Sequence, residues 1–431
     1  MSDSNQGRRA IAALEAQAIA AMRKGQEIQA LGAWRRILTL DPEYVPALTM
    51  VGQHAFQQND FASARDAFQR ITEVDGTDPR HWVNVALALQ RLGDEAGEEA
   101  ALVRALSVDP GDLLALLLRG GMYERQGKTH KAATAFGAAA TVAPPIDRLT
   151  PELRPSLAHA MKYREEYTAK LGSFLDSRFD AVQRDLAGEN FDRMQLSVDI
   201  MLGRKKRYDA QPMQHYLPGL ASVEFFDRRD FPWLDAFEAE TAAIRAEFLA
   251  VLREEHGFEP YISYANDLPL NQWIELNNSP RWSAFHLVKN GAVVEHNAAR
   301  CPHTMRLWQT APTPHQPGRT PAAMFSVLKP YTHIPAHVGV SNFRLVTHVP
   351  LIVPEGCRFR VGNQTRQWVP GKAWIFDDTI EHEAWNNSDK LRVVMIFDIW
   401  HPQVTLAERT MVSALMGALD EFTGTSGGFD A

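Results

Sequence analysis

A step of 34 residues runs through the first third of the chain, in the pairs Leu40-Asp41, Val74-Asp75, Val108-Asp109 and Val142-Ala143. Pro42, Pro110 and Pro144 follow three of these pairs, and Gly76 follows the other. Small residues keep the step at Ala18, Gly52, Ala86 and Gly120, and again at Ala33, Ala67, Ala101 and Ala135. A bulky column comes next, Trp34, Phe68, Leu102 and Phe136, and turn residues recur at Gly25, Asn59, Gly93 and Gly127. Each unit therefore reads as two helices joined by a tight turn that needs a positive φ. The small columns admit close helix approach, and the bulky column is expected to fill the gap to the next unit. One such unit cannot bury its apolar face alone, so units must stack into a solenoid.

The pattern resembles tetratricopeptide repeats, four of them over residues 7–145. That resemblance implies a surface on which a protein or peptide docks, with a structural or dimerising role as the alternative. Residues 146–215 are polar and rich in helix formers, which predicts a bridging helical segment. Near Tyr216 the texture changes. Leu217-Pro218-Gly219-Leu220 reads as a loop and 222–226 as a short strand. Asp230 is placed to cap a long helix, with Pro232 in its first turn and Gly257 after its end. Leu234, Phe237, Ile244, Phe248 and Leu252 fall at helical spacing along it, which predicts a helix on the back of a sheet.

A chain of 431 residues favours two or three domains, and 45% hydrophobic residues suffice for real cores. A net charge of −7 and a pI near 6.1 do not suit a general binder of nucleic acid or anionic membranes. The basic run Arg204-Lys205-Lys206-Arg207 lacks interleaved aromatics and reads as a solvated loop. Two cysteines, Cys301 and Cys357, make neither a disulfide framework nor a zinc site of their own. The polar stretch Met1 to Arg9 has no apolar core of a signal peptide, and no run of 18 apolar residues is present. A soluble, cytoplasmic protein without a membrane span is the expectation.

From Trp273 onward the texture is β. Strand-like runs cover 284–289, 323–328, 343–353, 357–361, 373–377 and 391–400. Asn290-Gly291, Pro354-Glu355-Gly356, Gly362-Asn363, Pro370-Gly371 and Asn386-Asn387 separate them as turns. Many short strands with such turns predict a jelly-roll sandwich or barrel with room for a small cofactor. His337, His348, His382 and Arg392 stand out within it. Arg344, Val346 and His348 share one strand face, and Arg392, Val394 and Ile396 share another. An arginine in so apolar a strand is costly without an anion, and its fork suits a carboxylate. Two neutral imidazoles can hold a ferrous ion with positions open for an oxo-acid and O₂. Spacing leaves the plainer readings open too. A strand histidine is more often a hydrogen-bonded structural residue, and an inward arginine is often half of an ion pair. His333 and His401 are read as structural or surface residues.

These residues resemble the aspartyl/asparaginyl β-hydroxylase family. The likeness is densest over 325–402, in Thr332-His333-Ile334-Pro335-Ala336-His337-Val338-Gly339, Val349-Pro350-Leu351-Ile352-Val353-Pro354 and Ile375-Phe376-Asp377-Asp378-Thr379-Ile380-Glu381-His382-Glu383-Ala384-Trp385. It ends at Asp398-Ile399-Trp400-His401-Pro402, and a weaker likeness reaches back to Tyr216. Animal members of the family also carry tetratricopeptide repeats ahead of the catalytic domain. The resemblance implies a multidomain chain, an all-α repeat solenoid followed by a double-stranded β-helix (jelly-roll, cupin-like) domain over 216–405 with flanking helices, and a C-terminal helix and tail over 406–431. It implies Fe(II), 2-oxoglutarate as co-substrate and O₂, with decarboxylation coupled to hydroxylation of an unactivated C–H. His337 and His382 match the iron ligands, and Gly339 stands where most related oxygenases carry an acid, as it does in the β-hydroxylases. Arg392 matches the anchor of the distal carboxylate of 2-oxoglutarate. His348 and Ser326 match further co-substrate contacts, and Trp282 lines the same pocket.

One departure concerns substrate. Members acting on aspartyl residues have a second arginine two positions after Arg344, and here Val346 stands there. Arg344 remains as the residue expected to grip a substrate carboxylate or amide. The leading expectation is hydroxylation of the β-carbon of an Asp/Asn-type residue in a protein or peptide presented by the repeats. The alternatives are a small molecule or lipid acyl chain as substrate, a non-catalytic peptide-binding scaffold, and halogenation at an acid-free metal corner.

Overall fold

The computed structural model describes residues 2–424, apart from 187, 255, 266 and 317. Two compact units divide between Asp192 and Arg193. The sequence expectation of a tail up to residue 431 lies, beyond residue 424, outside the described residues.

In the first unit four helical hairpins follow one another: Ser2–Arg23 with Glu27–Leu40, Val45–Gln57 with Phe61–Val74, Pro79–Leu92 with Glu95–Val108, and Leu113–Arg125 with Thr129–Val142. Each inner turn uses the expected residue in the left-handed region, with φ of 68° at Gly25, 62° at Asn59, 74° at Gly93 and 67° at Gly127. The bulky column packs forward as expected where Phe136 meets His159 and Tyr163 of the next helix, at 5.6 and 5.2 Å, and it also packs within the hairpin. A Cβ added to Gly52 would lie 2.6 Å from the Phe68 ring, and one added to Gly120 would lie 2.3 Å from Phe136. Each ring thus packs onto the glycine of its own hairpin, because the two helices approach closely there. Between hairpins the buried Glu98 accepts from Arg125 at 2.7 Å and from Gln90 at 2.9 Å, tying the third repeat to the fourth. The long helix Arg154–Asp185 closes the stack with Leu157 and Ala160 buried.

The segment expected to bridge is helical over Arg154–Asp185 and Asp192–Met201 and then becomes extended. The extended part lies within the second unit and bonds to its other segments. The Gln211 amide donates to the Thr379 carbonyl at 2.7 Å and the Met213 amide to the Gly339 carbonyl at 3.0 Å. Arg204 and Lys205 share Asp199, Lys206 pairs with Glu381 and Arg207 with Asp209, so each cation of the basic run has an acidic neighbour.

The second unit holds strands β1 (Phe258–Pro260), β2 (Trp282–Lys289), β3 (Ala292–Val293), β4 (Ala323–Leu328), β5 (Thr332–His337), β6 (Arg344–Ile352), β7 (Cys357–Val361), β8 (Gln364–Arg366), β9 (Trp374–Phe376), β10 (His382–Asn386) and β11 (Arg392–Trp400). The larger sheet runs β1-β2-β4-β11-β6-β9 with β3 paired to β2, and the smaller runs β5-β10-β7-β8. All these pairings are antiparallel. Alternation assigns the two faces of the larger sheet. Phe285, Phe325, Val349, Met395 and Phe397 pack against Leu234, Phe237, Ile244 and Phe248 of two helices. Trp282, Leu328, Val346 and Val394 face Ile334, Phe359 and Ala384 of the smaller sheet. The cavity described below lies between those inner faces.

Three local expectations need correction. The single long helix after Asp230 is two, Leu234–Ala239 and Thr241–Glu254, broken where the Thr241 hydroxyl donates to the Phe237 carbonyl at 2.9 Å and competes with the helical ladder. Asp227 takes the capping role, accepting from the Arg229 amide at 2.9 Å ahead of a short 3₁₀ turn. Residues 222–226 contribute only a single bridge, Phe225 to Phe376, and no full strand. The C-terminal helix Leu406–Thr423 begins with a capping box of Thr405 and Glu408, and it buries Val412 and Met416 against Val340, Phe343 and Trp400. Among the described residues no helix is long and apolar enough to cross a membrane.

The glycine columns give a direct test. Gly120→Val should cost about 1–3 kcal/mol in urea unfolding, because Phe136 leaves no room. Gly32→Ala lies in a helix with nothing within 4 Å of the added Cβ, and should gain about 0.5–1 kcal/mol. Equal effects of the two would contradict the packing described.

Candidate active site

His337 ends β5 and His382 begins β10, and the two are register partners across the smaller sheet. Their ring centroids lie 4.1 Å apart. Each ring has one nitrogen already committed. His337 Nδ1 lies 2.7 Å from the Pro335 carbonyl oxygen, and His382 Nδ1 lies 3.0 Å from that of Ile380. A carbonyl can only accept, so each Nδ1 carries the proton and each Nε2 keeps a free lone pair. Burial pushes His382 down to about 4. Burial, with His382 alongside, holds His337 well below the usual range. Trp273 closes edge-on over His337 at 5.0 Å and Phe376 over His382 at 5.4 Å. Both imidazoles are neutral with a fixed tautomer, the state in which histidine binds a transition metal. Among the described residues no third His, Cys, Asp or Glu joins them in a metal-holding group. An Fe(II) ion fits this donor set provided that small molecules supply its other positions.

Facing them is Arg392, which is 2% exposed at the start of β11. Its ion-pair partner is missing: among the described residues no carboxylate comes within bonding range, and its Nε has no acceptor. One terminal nitrogen donates to Ser326 Oγ at 3.4 Å, and the guanidinium carbon lies 5.0 Å from the centre of the Trp368 ring. Burial drives its pKa down to about 10, which still leaves it charged at neutral pH. Ser326 Oγ also accepts from the Trp282 indole at 3.1 Å, so its own hydroxyl proton remains to be donated. His348 stands in the same cavity between Phe359 and Phe376, at 5.0 and 4.8 Å. The cavity encloses about 230 Å³. That is just below the roughly 300–1,000 Å³ of usual ligand pockets, room for a small acid.

Arg344 is placed differently from the expectation that it grips substrate. Its terminal nitrogens donate to Asp398 at 3.0 Å and to Asp378 at 2.9 Å. Burial works against its charge, but the two carboxylates prevail and hold its pKa above the ordinary value. Asp378 also accounts for Gly339: a Cβ there would fall 2.2 Å from an Asp378 carboxylate oxygen. No side chain, acidic or otherwise, fits at 339 while Asp378 stands where it does. Sequence reasoning missed Asp378, Asp398 and Trp368 as residues of this cavity. The two acids lie in quoted motifs without a role, and Trp368 carried no signal at all. His333 lies outside the cavity, stacked on Trp385 and bonded to Glu383 at 2.9 Å. His401 bonds the Ala221 carbonyl at 3.3 Å.

The two arginines should respond in opposite ways to loss of charge. Arg344→Met strands two buried carboxylates and should cost about 3–5 kcal/mol of stability. Arg392→Met removes a buried charge that has no partner and should cost less than about 1 kcal/mol. Chemical denaturation of both variants checks this, and similar losses would mean that Arg392 has a counter-ion within the fold.

Residues 238–402 match the family model described as aspartyl/asparaginyl beta-hydroxylase. An ornithine lipid ester-linked acyl 2-hydroxylase of Rhizobium tropici is 39% identical over 186 residues, which is 42% of this chain and 62% of that protein. The human aspartyl/asparaginyl beta-hydroxylase is 26% identical over 355 residues, 80% of this chain and 42% of that protein. The chain thus spans less than two thirds of the length of these relatives. Among solved structures, the MamA protein is similar with a TM-score of 0.32 and 17% identity, over 42% of this chain and 97% of that one. The span 238–402, with His337, His382 and Arg392 within it, is thus similar to the aspartyl/asparaginyl β-hydroxylase family.

Proposed function

We propose that the chain is an Fe(II)- and 2-oxoglutarate-dependent dioxygenase that hydroxylates an unactivated C–H. The observation that carries this reading is Arg392, a charged, buried guanidinium with no acid of its own, in one cavity with two histidines whose Nε2 lone pairs are free. Iron and 2-oxoglutarate, when bound with O₂, supply decarboxylation coupled to oxygen insertion. The protein's own work is placement. His337 and His382 offer Nε2 to the metal. Arg392 offers parallel N–H groups to the distal carboxylate, and the Ser326 hydroxyl donates beside it. Trp282 holds Ser326, and the aromatic wall of Phe359, Phe376 and Trp273 keeps water out.

For the substrate, the first reading is an Asp/Asn-type β-carbon in a protein or peptide, with the helical repeats as the docking surface. A second reading is an acyl chain or another small molecule. It is favoured by a specific observation: Arg344 is engaged by Asp378 and Asp398, and the apolar Val346, Met324 and Ile396 line the same cavity. The acyl 2-hydroxylase relative supports it as well.

The test is a search for a +16 Da product in protein and lipid fractions of a cell extract incubated with enzyme, iron, ascorbate and 2-oxoglutarate. His382→Ala should abolish succinate formation while the circular dichroism spectrum is kept. Arg392→Met should weaken 2-oxoglutarate binding by about 3 kcal/mol, roughly a hundredfold. Unchanged succinate production in His382→Ala would remove the assignment.

A further inference from the structure

Trp368 lies between β8 and β9, is 3% exposed, and touches both groups that face the proposed anion. Its indole N–H donates to His348 Nδ1 at 3.2 Å. An indole nitrogen can only donate, so His348 Nδ1 must be the lone pair. Burial, with the Arg392 charge nearby, keeps the ring neutral. The single ring proton is therefore on Nε2, the opposite tautomer to that of His337 and His382. The proton on Nδ1 would set two N–H groups against each other. The face of the same indole lies under the Arg392 guanidinium, at 5.0 Å from its central carbon. The indole is itself wedged between Phe359, at 5.2 Å, and Trp374, at 5.8 Å and 20°.

We infer that Trp368 is the positioning residue of the co-substrate anion site: its N–H fixes His348 as an Nε2–H donor, and its ring holds the Arg392 guanidinium in place. This rests on the co-substrate reading above. Histidine tautomers then sort the cavity by chemistry. Backbone carbonyls leave lone pairs facing the metal, and one indole leaves an N–H facing the anion.

Trp368→Phe keeps an aromatic face and removes the N–H. The ring ¹⁵N shifts of His348, assigned with His348→Gln in the metal-free protein, should show a single Nε2–H tautomer in wild type and a mixture in Trp368→Phe. The Kd of the iron-loaded protein for 2-oxoglutarate should rise roughly tenfold in the variant, with kcat at saturating 2-oxoglutarate unchanged. A wild-type His348 protonated on Nδ1 overturns the inference without any variant. Equal 2-oxoglutarate affinity in wild type and Trp368→Phe overturns it and leaves the dioxygenase reading standing. A wild type that binds no 2-oxoglutarate overturns both.

Discussion

Strand β11 is buried on both faces, and the rest of the domain is arranged around that fact. Val393, Met395, Phe397 and Ile399 turn to the helices, while Arg392, Val394, Ile396 and Asp398 turn to the cavity. Two of those inward residues are ionisable. A buried charge must be paired within the fold or by something that enters it. Asp398 finds Arg344 across the β6 register. Arg392 finds no acid among the described residues and instead contacts a serine and the face of an indole. The same strand thus closes one ion pair and leaves another half-made, and the half-made one is what the proposed co-substrate site rests on.

The smaller sheet supplies the complementary half. Pairing β5 with β10 sets His337 against His382, and carbonyls two residues back along the chain consume the Nδ1 protons. Tautomer and charge state follow from backbone geometry and burial, before any ligand is considered. Asp378, held by Arg344, fills the space beside Gly339 and keeps a carboxylate near the pair without making it a member of a metal-holding group. The same arrangement leaves Arg344 engaged by two acids beside a partly apolar wall, which is what favours the acyl-chain reading of the proposed substrate.

Much of the fold was legible where a signal repeats within contiguous residues. The 34-residue columns located the hairpin turns, down to the positive φ of Asn59. Strands β4 and β7 fall on the predicted residues, and β2, β6, β9 and β11 fall within two of them. Strands β5 and β10 were not read as strands. Pro335 interrupts the first, Glu383 and Trp385 disturb the apolar alternation of the second, and a register shift after His382 bends their pairing. Their histidines stood out in the β-rich half without strands assigned to them, and the resemblance then gave them roles.

By itself, then, the sequence determined the periodicities: a stacked repeat, a two-faced sandwich, and which side chains of a strand share a face. Those are properties of neighbours along the chain. Whether a charged or titratable group is free was decided only by tertiary structure, because its partner is remote. Arg344 meets Asp398 across 54 positions, Arg392 meets Ser326 across 66, and the Trp368 indole reaches His348 across 20. No local pattern distinguishes the arginine that is satisfied from the one that is not, since both sit inward in apolar strands. Only the folded cavity, where desolvation makes each missing partner costly, separates them.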